Sequence, residues 1–167
     1  VFAELADGTI RCAGYNGDGS LGNGNTTNQT VSIDVTTAWK GSGNQASYSI
    51  NKLYAGRGYH DTNINSNAWT LIVFNTSANK VIRTSGTNLW GTLGNGTTTS
   101  SSTPLTPTNL SGSNGELVDL IAGGGATGSV IAIKNKVAGA QPEILGWGYN
   151  GAQNIDETNT TPRTAMY

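Results

Sequence analysis

Few residues in this chain of 167 could carry acid–base or nucleophilic chemistry. There is one histidine, His60, and one cysteine, Cys12, and the only close carboxylate pairs are Glu116/Asp119 and Asp156/Glu157. Nucleophilic catalysis needs a Ser, Cys or Thr beside a base that a third group orients, and one histidine is a thin basis for it. A glycosidase would need a carboxylate pair facing across a cleft, which sequence spacing here does not support. One Cys and one His are also too few for a zinc site. The run Asn16-Gly17-Asp18-Gly19-Ser20 has the look of a calcium loop, but an EF-hand places Gly sixth and a bidentate Glu twelfth. Leu21 and Thr27 stand there. Gly123-Gly124-Gly125 lacks the Lys-Ser/Thr of a phosphate-binding loop. The expectation is a chain with no catalytic residue, no metal site and no cofactor, and with Cys12 as a small buried hydrophobe.

Composition then says what elements the chain can build. Glycine accounts for 24 residues and charged side chains for 11%, about twice and less than half their usual shares. Val, Ile, Thr, Tyr and Trp cluster in short runs separated by Gly and Asn, the pattern of strands joined by turns. Nine scattered basic residues and a net charge of −1 argue against nucleic acid, which requires clustered Lys and Arg. The longest apolar runs, Trp69 to Phe74 and Val130 to Ile133, fall far below the ~20 residues of a membrane helix, so no membrane insertion is expected. Low charge with abundant Thr, Asn and Ser suits an extracellular or virion surface.

One segment recurs. Gly14 to Gly24 and Gly86 to Gly96 share G-x-N-x-x-G-x-L-G-N-G at an offset of 72, and Gly148 to Ile155 keeps the first Gly, the Asn and an aliphatic residue at the Leu position. Each copy follows a β-prone run (Thr9–Ala13, Lys80–Thr84, Glu143–Trp147), and each of these follows another (Val1–Leu5, Trp69–Asn75, Val130–Lys134). That spacing predicts a hairpin per repeat. Leu53-Tyr54-Ala55-Gly56 and Leu120-Ile121-Ala122-Gly123 predict a further strand ending at glycines, and Val31–Val35 and Leu105–Leu110 an outer strand, with Pro104 at an edge. The units run over about 1–50, 51–115 and 116–167 of one domain. A four-stranded antiparallel unit recurring with glycine turns is the sequence form of a β-propeller blade, so the fold class expected is all-β, about three blades of a partial propeller.

These motifs resemble the repeat of the regulator of chromosome condensation (RCC1-like) propeller family. Ala55-Gly56 and Ala122-Gly123 match its hydrophobic-Ala-Gly element, and the two glycine turns match its Gly-x-Asn-x-x-Gly-x-Leu-Gly-x-Gly element. The resemblance implies that His60 has a structural role at a strand start. It also implies one full blade and two incomplete ones, hence a segment of a longer polypeptide, because three blades do not close a ring. Trp69, Trp90 and Trp147 fall within the repeat and are expected in the core. Trp39 and Tyr48 lie in an insertion spanning about Thr37–Ser49 and are the expected partner contacts, since loops carry function more often than framework does. The functional expectation is a non-enzymatic structural or recognition module of an extracellular or virion-surface protein, such as a phage tail fibre or decoration protein. Its partners would be a protein or cell-surface receptor, or other subunits of a surface assembly. The alternative is a guanine-nucleotide exchange factor acting on a small GTPase, the activity of the family's best-known member.

Overall fold

A computed structural model of the chain describes residues 1–43, 47–60, 63–77, 79–108, 116–123, 128–135 and 142–149, of which 57–60, 63–67 and 116 are described by backbone alone. The fold is all-β apart from one helical turn, and its strands form three antiparallel sheets. The first contains β1 (Phe2–Glu4), β2 (Ile10–Gly14) and β3 (Gln29–Asp34) in that order. The second contains β4 (Ser49–His60), β5 (Asn63–Asn75), β6 (Lys80–Gly86) and β7 (Ser101–Leu105), also in chain order. The third contains β8 (Glu116–Ala122), β9 (Ser129–Asn135) and β10 (Glu143–Gly148). Among the described residues no helix is long and apolar enough to cross a membrane.

The hairpins stand where the period-2 runs place them, and their registers are unbroken at the centre: Trp69 to Asn75 pair with Gly86 back to Lys80, and Val130 to Lys134 with Trp147 back to Glu143. Two other boundaries differ from the sequence reading. The outer strand of the second sheet is Ser101–Leu105 rather than Leu105–Leu110; it contains Pro104 and lies at the sheet edge, where a missing N–H costs no ladder bond. The strand expected to end at Gly56–Gly58 continues to His60, because its ladder with β5 carries on past the glycines to the pair His60↔Asn63. The region read as an insertion opens with a helical turn, α1 (Thr36–Lys40). Asp34 accepts from both the amide and the hydroxyl of Thr36, and Thr36 Oγ1 accepts from the Ile10 amide, so the turn is pinned to β2.

The second sheet lies between the other two. Alternation along β5 sends Ile72 and Phe74 into a core shared with the first sheet, with Ile10, Cys12, Leu21, Val35 and Trp39. It sends Trp69, Leu71 and Val73 into a core shared with the third, with Leu120, Val130 and Trp147. Trp69 fits because Gly56 and Gly128 carry no Cβ: one added at either would lie 2.2 or 2.6 Å from the indole. Charged pairs link units as well. Lys40, fully buried, donates to Glu4 at 2.9 Å and to the Gly8 carbonyl at 2.6 Å, while the second carboxylate oxygen of Glu4 accepts from the Ile50 amide of β4. Lys52 of β4 is paired with Asp119 of β8. A buried lysine persists only when its charge is matched in this way.

Candidate recognition surface and the asparagine turns

The repeated glycine motif builds one geometry twice. Asn16 and Asn88 are fully buried, although each sits in a surface turn. The Nδ2 of Asn16 donates to Asn23 Oδ1 and to the carbonyls of Asn25 and Thr27, and its Oδ1 accepts from the Leu21 amide at 2.9 Å. Asn88 does the same with Asn95, Thr97, Thr99 and the Leu93 amide at 2.8 Å. A primary amide has two donors and two acceptor lone pairs, and here one side chain ties down the whole loop that follows. No carboxylate could replace it, because the three partners of Nδ2 are all acceptors. The neighbouring Asp18 carboxylate accepts from the Ala68 amide at 2.9 Å, so it is a link to β5.

Gly22 and Gly94 occupy matching left-handed conformations, φ +68° and +67°. Each is covered by a tryptophan: a Cβ on Gly22 would lie 2.8 Å from Trp39, and one on Gly94 2.7 Å from Trp147. Each indole N–H donates into its turn, Trp39 to the Leu21 carbonyl at 2.9 Å and Trp147 to the Thr92 carbonyl at 3.0 Å. Trp147 comes from β10 of the third sheet, whereas the first turn receives its tryptophan from α1. The first turn also meets the second sheet directly, through Ser85 Oγ donating to the Gly19 carbonyl and the Gly24 amide donating to the Ser102 carbonyl. Each turn thus fastens its own sheet to the next.

The residues singled out from sequence are distributed as follows. Trp39, expected to meet a partner, has no exposed surface; burial on Gly22 and an edge contact with Phe2 at 5.6 Å make it part of the core. Tyr48 is half-buried, its ring 5.9 Å from Phe74. The two are not brought together as one exposed site. Trp69 and Trp147 are fully buried, but Trp90 is only partly so and stacks edge-on against Tyr149 at 5.3 Å. His60 and Glu116 are placed in β4 and β8 with their side chains outside the described residues, as are Asp156, Glu157 and the third turn beyond Tyr149. The first glycine of that third copy, Gly148, has φ +100°, near the +119° and +112° of Gly14 and Gly86.

Sequence reasoning passed over what the turns hold outward: the loops Gly24–Asn28 and Gly96–Ser100, exposed throughout and made of Gly, Asn, Thr and Ser. These are amide and hydroxyl surfaces backed by a rigid buried anchor. The signal was available, since the polar run follows the motif in both copies. The described titratable groups are otherwise engaged. Lys52 beside Asp119 holds that carboxyl below its ordinary value, the Thr36 hydroxyl does so for Asp34, and the Thr9 amide for Asp7. Burial pushes the Cys12 thiol up to about 11, away from the range of a reactive thiolate. Among the described residues no three metal-ligating side chains cluster. No family model matches the chain, and no curated protein matches it.

Asn88→Ala leaves the buried Leu93 amide without its acceptor, worth about 1–3 kcal/mol, and frees the Thr97 and Thr99 carbonyls to solvent. Urea denaturation should show a loss of about 1–3 kcal/mol, and Asn88→Asp should not restore it. The pH dependence has two limbs. The three carboxyls hold protons less tightly folded than unfolded, so their contribution is present above the ordinary value of 3.8 and lost as pH falls through their lower folded values. Cys12 ionises first in the unfolded chain, so stability also falls from pH 9 towards 11. Thermal melts should be flat between these limbs, and Cys12→Ala should flatten the alkaline limb relative to the parent.

Proposed function

We propose that the chain is a non-enzymatic recognition module, built of RCC1-like propeller blades and displayed on an extracellular or virion surface. The observation that carries this reading is the pair of matched turns: each spends a buried asparagine on holding a loop of exposed amides and hydroxyls in place. Such loops suit contacts with polar ligands, because preorganised donors and acceptors lose little freedom on binding. The structural engagement of the described carboxylates and the raised thiol supports a binding role over a catalytic one. Three sheets stacked face to face, with a four-stranded one in the middle, support blades of a propeller. The exchange-factor alternative has no specific observation in its favour among the described residues.

The test is saturable binding of the fluorescently labelled chain to intact bacterial cells, with Thr26→Arg and Thr98→Arg introduced together to crowd both loops. The reading predicts saturation by the parent chain and at least a tenfold weaker Kd for the variant at unchanged melting temperature. Accelerated nucleotide release from the small GTPase Ran, with no cell binding, would sink it.

A further inference from the structure

The third sheet carries four exposed isoleucines. Ile121 and Ile144 are 70% and 68% exposed, and Ile131 and Ile133 are 43% and 39% exposed. Contiguous apolar groups of this kind mark interaction surfaces in soluble proteins. Their register identifies them. Ile131 pairs with Ile121 as Leu71 pairs with Tyr54 in the second sheet, and Ile133 pairs with Ile144 as Val73 pairs with Ile82. In the second sheet those four positions are the ones that pack on the third: Leu71, Val73 and Ile82 are 3% exposed or less, and Tyr54 packs against the same core. The isoleucines are thus the same face one sheet further on, with nothing among the described residues upon it.

The opposite free face lies on the first sheet. Ala3 pairs with Arg11 as Ile72 pairs with Arg83, so Ala3 stands where the second sheet presents Ile72 to its neighbour. Leu5, the residue just after β1, is 44% exposed beside it. Arg11 does not obstruct this face: its guanidinium is drawn sideways onto the side chain and carbonyl of Ser32, as that of Arg83 is onto Thr106 in a sheet whose equivalent face is covered. Among the described residues two faces of opposite sense are thus uncovered, and the packing of sheet upon sheet shows how such faces meet.

We propose that these faces meet between two copies of the chain, the isoleucine face of one copy packing head to tail on the Ala3–Leu5 face of the other. Two copies of the three described sheets give six, within the roughly four to eight that close a ring, and closure satisfies both faces of both copies. The inference rests on the propeller reading above and adds the partner. Sedimentation equilibrium at micromolar concentration should give twice 17.2 kDa. Ile144→Lys and Leu5→Glu, both at exposed positions, should each give a monomer with the parent's far-ultraviolet circular dichroism. An equimolar mixture of the two should return to dimer mass, because one intact interface is restored. A parent chain of 17.2 kDa overturns the proposal and assigns the isoleucine face to a further sheet of a longer polypeptide, leaving the propeller reading intact. A Leu5→Glu variant that remains dimeric also overturns it, in favour of isoleucine face on isoleucine face, which is incompatible with a ring and would count against the propeller reading too.

Discussion

The arrangement depends on burying an amide where a surface turn would ordinarily be solvated. In each complete turn one asparagine satisfies three acceptors and one backbone donor from inside the loop, and in the low dielectric of that position any missing partner is costly. Once the amide is fixed, the backbone between Gly19 and Gly24, and between Gly91 and Gly96, has little conformational choice. The Leu side chain then points into the core, the following glycine presents a flat surface, and an indole closes over it. Sheet docking follows, because the groups that complete each turn, Ser85 and Ser102 for the first and Trp147 for the second, belong to the neighbouring sheet.

The first turn differs in the source of its tryptophan, and the difference is instructive. The second receives Trp147 from the strand that pairs with β9. The equivalent strand position facing the first turn is Ser85, too short to cover Gly22, and Trp39 of α1 takes that place. A single helical turn between β3 and β4 thereby substitutes for a strand residue. Lys40 next to it is held by Glu4 and Gly8, which fixes the turn against the β1–β2 hairpin.

How much of this was legible in sequence follows from the range of the interactions. The hairpins, their order and the recurrence of the turns could be read because period-2 alternation and glycine spacing are local signals. The role of Asn16 and Asn88 could be suspected from recurrence, but their burial could not, since nothing in a polar loop sequence says that its asparagine points inward. α1 was missed because five residues are too few for helical periodicity, and Trp39 was read as a partner contact because an aromatic in an insertion resembles a binding loop. Its true position depends on Gly22, seventeen residues away, which no pattern of neighbours reveals. The shift of β7 to Ser101–Leu105 has the same cause: which part of a Ser/Thr run pairs is decided by β6.

The most direct test of the central claim is amide hydrogen exchange at Leu21 and Leu93, the two backbone donors to the buried asparagines. If the amide anchors organise the sheets, both protons exchange only through global unfolding, as slowly as the central residues of β5, although both sit in surface turns. Exchange at the rate of the exposed loop residues Thr26 and Thr98 would contradict the account.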